Sequence, residues 1–268
     1  MPSIISKFPQ FIHADLHQTW HSVSEYYLTN KLWKAGQCPW SENFIQELIT
    51  LWSRSDYIQE TCARYPQWLD ALSQKDSSLY RVKTEAEYRE QLKTSIQDCQ
   101  EEADLMRCLR AFRRAEMLRI IWRDLLNIAD LTHTLAEVSA LADVCVSVTL
   151  DHLYGQLTER YGVPMSQAVD NGECIPQRMI VLGMGKHGAK ELNVSSDIDL
   201  IFAYPESGMT NHTKKPIENH MFFTRLAQKL IHALDHINGE GFVFRVDMRL
   251  RPYGGSGALA LNFAAFED

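Results

Sequence analysis

The chain has 268 residues, more than one typical domain, and its 45% hydrophobic and 23% charged content is that of an ordinary globular protein. No segment reaches the roughly 18 unbroken apolar residues of a membrane span, and the opening MPSIISKFPQFIHADLHQ turns polar too soon for a secretory signal, so the cytoplasm is the expected location. A net charge of -7 opposes a general nucleic-acid coat, and six scattered cysteines without a C-x-x-C pair argue against a zinc ribbon, a redox motif or a disulfide framework.

Near the start, His13, His17 and His21 recur every fourth residue, which would stack them on one helix face; with no carboxylate arranged as in a zincin, the spacing reads as accidental. From about Asn43 to Tyr161 the pattern is helix after helix. Thr84 followed by Glu87 is a capping-box pattern, and Leu105, Leu109, Phe112, Leu118, Ile121 and Leu125 form an apolar stripe at spacings near three and four. The same helix carries Arg107, Arg110, Arg113, Arg114, Arg119 and Arg123. These arginines would line a groove for phosphate or an acidic partner, or, with Glu101, Glu102, Asp104, Glu116 and Asp124 among them, form a solvated ion-pair face. Trp33, Trp40, Trp52, Trp68 and Trp122 read as core or interhelical anchors. The helical run stops at Gly162 to Pro164.

After a loop with Asn171, Gly172 and Pro176 the period changes. "QRMIVLG" is a short apolar run ending in glycine, "DIDLIFAY" alternates, and "GFVFRVDMRLRP" alternates strictly before a proline-glycine turn, so three strands are expected. Between the last two, "ENHMFFTRLAQKLIHALDHING" is a helical pattern. The expected architecture is α+β: a helical region over residues 1–165 packed on a small α/β sheet domain over 166–268. The apolar ending "ALALNFAAFED" reads as a break inside a longer protein.

Side chains alternate along a strand, so Asp197 and Asp199 share one face while Ile198 and Leu200 pack on the other. The same rule groups Arg245, Asp247, Arg249 and Arg251 and turns Val246, Met248 and Leu250 inward. Three converging carboxylates repel unless a cation sits among them, and hard oxygen donors suit Mg²⁺ or Mn²⁺. The arginines could take charge on phosphate by forked hydrogen bonds, and Gly183 and Gly185 let backbone approach a phosphate near Lys186. A D-x-D pair alone is commonly a solvated edge, and an Arg/Asp strand alone a surface ladder; it is the glycine turn at this spacing that makes them a site.

Gly183, Gly185 and Gly188 also spell G-x-G-x-x-G, the dinucleotide fingerprint. Position decides against that reading, because the ribose-binding acid of that fold follows the second strand's apolar run, whereas Asp197 and Asp199 open theirs. A Walker A loop fails too: Lys186 is not followed by Ser or Thr.

"GMGKHGAKELNVSSDIDLIF" followed by "FRVDMRLRPYGGSGAL" resembles the bifunctional glutamine synthetase adenylyltransferase/adenylyl-removing family, within the DNA polymerase β-like nucleotidyltransferase superfamily. The superfamily's glycine turn, D-x-D and later carboxylate match Gly183 and Gly185, Asp197 and Asp199, and Asp247. The family signatures G-x-G-K-x-G-x-x-E-L and D-x-R-L-R-P fit Gly183 to Leu192 and Asp247 to Pro252; His187 and Ala189 depart from the usual text. The resemblance implies a polymerase β-like catalytic domain, more like the N-terminal, adenylyl-removing half than the adenylylating one. Its reaction would be phosphorolysis of adenylyl-tyrosine on glutamine synthetase by inorganic phosphate, giving ADP, with P-II signal protein as regulator. Asp197, Asp199 and Asp247 would hold Mg²⁺ or Mn²⁺. Gly183, Gly185, Lys186, Ser195, Ser196, Arg249 and Arg251 would contact phosphate oxygens. The adenylylating half, using ATP, and a non-catalytic nucleotide- or P-II-sensing module are the alternatives.

Overall fold

The computed structural model describes residues 3–34, 37–74, 77–167 and 174–267; the loop expected around Asn171 and Gly172 lies outside them. In chain order, helices α1 (His13–Thr29), α2 (Glu42–Trp52), α3 (Asp56–Arg64), α4 (Leu69–Ser73), α5 (Glu85–Ile96), α6 (Glu102–Leu125) and α7 (Leu131–Tyr161) come first. They precede β1 (Ile180–Met184), α8 (Gly185–Gly188), β2 (Ile198–Tyr204), α9 (Asn219–Asp235), β3 (Val246–Asp247), β4 (Ala260–Asn262) and α10 (Phe263–Glu267). The fold is α+β, as expected. The compact units, however, do not divide at residue 165. One comprises Met1–Lys83 and Ala115–Glu137, the other Thr84–Arg114 and Val138–Asp268, because α6 and α7 each contribute residues to both.

The first unit is built from helices that start where side chains can cap them. Ser41 Oγ accepts from the Phe44 amide at 3.2 Å and Ser55 Oγ from the Ile58 amide at 3.3 Å. Their buried faces meet in an aromatic core. Tyr27 stacks on Trp33 with ring centroids 4.6 Å apart, Trp40 meets both edge-on, and Phe44 stacks on Trp122 at 5.3 Å. Such pairs contribute about 0.5–1.5 kcal/mol each beyond the area they bury. Trp33, Trp40, Trp52 and Trp122 are core residues as expected, while Trp68 packs against that core partly buried. The histidine spacing does lie on one helix, α1. His13 Nε2 hydrogen-bonds the Phe8 carbonyl oxygen at 2.7 Å, His21 faces Glu25, and the trio makes no metal-holding cluster.

The arginine-rich helix is divided: Arg107 pairs with Asp104 at 2.8 Å on a solvated face, as expected, but its later arginines turn inward. Arg119 and Arg123 are buried with Lys83, Glu116 and Glu137 in one network. Lys83 Nζ donates to Glu116 at 2.5 Å, Arg119 Nε donates to the same carboxylate at 2.9 Å, and Glu137 accepts from both Arg119 and Arg123. Remaining guanidinium donors go to carbonyls: Arg119 to Ser78, and Arg123 to Leu79 and Arg81 at 2.7 and 2.8 Å. Buried ions persist only when paired and fully hydrogen-bonded, and these are.

The second unit holds the sheet. Thr84 and Glu87 close the expected capping box on α5, with amide-to-side-chain distances of 3.3 and 2.9 Å. β2 is the central strand. β1 pairs antiparallel along one side of it, while β3 and β4 pair parallel with its first and last residues on the other. An antiparallel β1–β2 pair separated by one helical turn is not a βαβ unit, which agrees with rejecting the dinucleotide fingerprint. β2 is buried from Leu200 to Tyr204 instead of alternating, and Tyr204 stacks on Phe223 of α9 at 4.6 Å. The long third strand is also corrected: β3 is two residues, and Leu250, expected to face inward, is 53% exposed. α7 is the one helix among the described residues long and apolar enough to cross a membrane, which the count of unbroken apolar residues missed; its Val138, Leu141, Val144, Cys145 and Val148 are buried, as in a core helix.

Replacing Glu137 with Ala removes a buried carboxylate partner from Arg123 and from Arg119, which keeps Glu116. The expected loss is about 3–5 kcal/mol of unfolding free energy, measured by urea denaturation followed by circular dichroism.

Candidate functional site

The register of β2 brings the acidic residues together. Met184, Asp199 and Asp247 are lateral neighbours on β1, β2 and β3, and Asp197 lies two residues before Asp199 on the same face, since Ile198 between them is fully buried. Their charges sense one another. Burial, then the carboxylates of Asp247 and Asp197, push the Asp199 carboxyl above its usual range. The outer two are matched to arginines: Arg245 Nε donates to Asp197 Oδ1, and Arg249 donates to Asp247 through its amide at 2.8 Å and through its guanidinium. The Arg249 hydrogen bonds hold the Asp247 carboxyl below the usual range.

The glycine turn is shaped around Asp199. Gly185 has φ +53°, and a Cβ there would fall 2.5 Å from Asp199 Oδ2, so only glycine lets the backbone pass. Gly188 closes the single turn of α8 over β1, where a Cβ would meet the Gly183 carbonyl oxygen at 2.4 Å. Ala189, at φ -77°, has no need of glycine. α7 braces this turn. Its Asp143 accepts from His187 Nε2 at 2.8 Å and from Lys190 Nζ, and its Ser139 Oγ accepts from the Leu192 amide at 3.2 Å. His187 is 3% exposed, so the departure from the family text is a buried strut. Burial opposes charge on Asp143, but the hydrogen bonds from His187 and Lys190 outweigh it and hold its carboxyl below the usual range.

The expected phosphate-contacting residues divide. Lys186 is exposed on the glycine turn, and Arg249 is 84% exposed beyond its ion pair, so both can reach a ligand. Ser195 and Ser196 are engaged locally: both hydroxyls donate to Asn193 Oδ1, at 3.2 and 2.9 Å. Arg251 is turned away from the acidic cluster, its guanidinium donating to the carbonyls of Met248, Gly255 and Gly257 across the turn after β3. Asn193 and Asp143 are the residues that sequence patterns did not single out as part of this site. Arg245 was grouped with Asp247 by strand parity, but its pairing with Asp197 was not read. A further support comes from α6, where buried Arg110 donates to the carbonyls of Gly241 and His236 and so fixes the loop leading into β3.

Three aspartate oxygen donors suit a hard divalent cation. Among the described residues no three His, Cys, Asp or Glu side chains are gathered to hold an ion, and Arg245 and Arg249 are paired with two of the carboxylates. Both arginines are at least half exposed, so the charges that match the outer carboxylates stand in contact with solvent.

Asp143 offers a test of the brace. Its lowered folded-state value means that its contribution is present above about pH 4 and lost as the pH falls through that value. Asp143→Asn is expected to cost roughly 1–3 kcal/mol at neutral pH by weakening the hold on buried His187. The gap between parent and variant melting curves should close in acid.

The family described as Glutamate-ammonia ligase adenylyltransferase matches residues 45–268. The chain is 48% identical over 229 residues to the bifunctional glutamine synthetase adenylyltransferase/adenylyl-removing enzyme of Pseudomonas aeruginosa, covering 85% of this chain and 23% of that protein. It is 41% identical over 267 residues to the enzyme of that name from Hahella chejuensis, covering 99% of this chain and 26% of that protein, and 43% identical over 239 residues to the one from Shewanella oneidensis, covering 89% and 24%. The chain thus spans about a quarter of the length of the curated relatives it matches. With a family match over residues 45–268, which includes the glycine turn and all three aspartates, the chain belongs to the glutamate-ammonia ligase adenylyltransferase family.

Proposed function

We propose that the chain carries the adenylyl-removing site of a bifunctional glutamine synthetase regulator, and that it splits adenylyl-tyrosine on glutamine synthetase with inorganic phosphate. The observation carrying this reading is the pairing of Asp199 with Asp247, flanked by Asp197 and approached by the Gly185 backbone. The long helical stretch ahead of the site and the text "ELNVSSDIDLIF" support the removing half.

Asp197, Asp199 and Asp247 would hold Mg²⁺ or Mn²⁺, which supplies charge stabilisation to phosphate oxygens when bound. The chain's own residues do the rest. Lys186 and the backbone of the glycine turn bind oxygens of the adenylyl phosphate, and Ser195 and Ser196 shape the edge of the site through Asn193. Arg249, released from Asp247, orients the attacking phosphate with its forked donors, and Arg245, released from Asp197, stands beside the same opening. A bond forms between a phosphate oxygen and the adenylyl phosphorus, the bond from phosphorus to the tyrosine oxygen breaks, and that oxygen takes up a proton as it leaves. The products are ADP and unmodified tyrosine. P-II signal protein, as a regulator, acts outside this cluster in the same reading.

Incubating the protein with adenylylated glutamine synthetase, phosphate and Mg²⁺ should release ADP. AMP transfer from ATP without ADP release would assign the adenylylating half instead, and neither activity would leave the sensing module. Asp199→Asn is expected to lower deadenylylation by about 10²–10³-fold or more. The same change should raise the melting temperature at neutral pH. Asp199 has a raised folded-state value, so its ionisation costs stability at any pH above that value, and the neutral amide removes the cost. A variant that loses both activity and stability would make Asp199 a structural residue.

A further inference from the structure

Away from the aspartates, a cavity of about 250 Å³ opens in the second unit between the C-terminal end of α7, the middle of α9 and the first residue of α6. Three cationic side chains line it, Arg160, Arg225 and Lys229, together with His232, against a single carboxylate, Glu102. That carboxylate is already committed: it accepts from Lys229 Nζ at 2.8 Å and from His232 Nδ1, and these bonds hold its carboxyl below the usual range. Arg160 and Arg225 are left over. Both guanidiniums lie against the Tyr161 ring, 5.1 and 4.9 Å from its centroid, and neither has a carboxylate partner among the described residues.

Two like charges gathered on one ring repel, and the ring's quadrupole offsets only part of that cost. An anion in the cavity that both line would offset the repulsion with forked hydrogen bonds. Two guanidiniums offer more donors than the two oxygens of one carboxylate accept with good geometry, whereas a tetrahedral oxyanion presents oxygens to both and carries a charge near that of the pair. We propose that this cavity is a second binding site, for a phosphoryl-type oxyanion, distinct from the aspartate cluster. Arg160 lies about 25 Å along α7 from Asp143, the brace of the glycine turn, at 1.5 Å per residue. An anion here touches none of the residues assigned to catalysis.

Calorimetric titration of the protein without divalent cations, with inorganic phosphate and separately with ADP, tests the site. The parent should bind at least one of them saturably, R160Q/R225Q at least tenfold more weakly, and R178Q, at an exposed arginine outside both sites, with unchanged affinity. Tighter binding of ADP than phosphate identifies a nucleotide as the source of the phosphoryl group; the reverse order identifies free phosphate. If R160Q/R225Q melts below the parent, the single variant R160Q, at an exposed position, replaces it with an expected weakening of at least threefold. Binding that survives loss of these arginines, binding weakened equally in R178Q, or no saturable binding of either probe overturns the proposal. None of these outcomes bears on ADP release from adenylylated glutamine synthetase, so the two readings fail separately.

Discussion

The architecture of the candidate site depends on holding carboxylates closer together than they would choose to be. Asp199 sits on the central strand between Met184 and Asp247, with Asp197 on the same face and the Gly185 backbone against its own oxygen. Each neighbouring element answers that crowding. Gly185 supplies positive φ and the absence of a side chain, while Arg245 and Arg249 supply opposite charge to the outer pair. α7 contributes Asp143 and Ser139, which hold the glycine turn in place from behind. The strain is local and electrostatic, of the kind that functional sites retain at the expense of stability.

Much of this was legible before any coordinates. An apolar run ending in glycine, a D-x-D opening the next run and an aspartate among arginines specify two strands, a turn and three acids, because each is a local rule of strand periodicity and turn chemistry. What could not be read depends on partners distant in sequence. Arg119 and Arg123 look like any solvated helix arginines until Glu137, on another helix, and the carbonyls of Ser78, Leu79 and Arg81 take them into the interior. Arg251 shares strand parity with Asp247, yet the chain leaves the sheet after Asp247, whose side chain accepts from the Arg249 amide and starts a turn. The division into units was likewise hidden, because two long helices read as continuous periodic segments whichever unit each part joins.

Arginine thus does three separate jobs in this chain. In the first unit, at Arg119 and Arg123, it is structural, buried and paired with carboxylates. At the aspartates it is a counter-charge, half or more exposed. Arg110 is intermediate: it is buried, and its donors run to backbone carbonyls of the loop that delivers β3, so it acts on the acidic cluster through geometry alone. Composition cannot separate these uses, since the side chain is the same and only its burial and acceptors differ.

All six tryptophans, at positions 20, 33, 40, 52, 68 and 122, fall within the unit that lacks the sheet. Indole emission from this protein therefore reports on one half of its interior and is silent on the other. A change at the aspartates or in the α7–α9 cavity would leave that signal untouched, whereas a tryptophan introduced into the second unit would give the silent half a voice of its own.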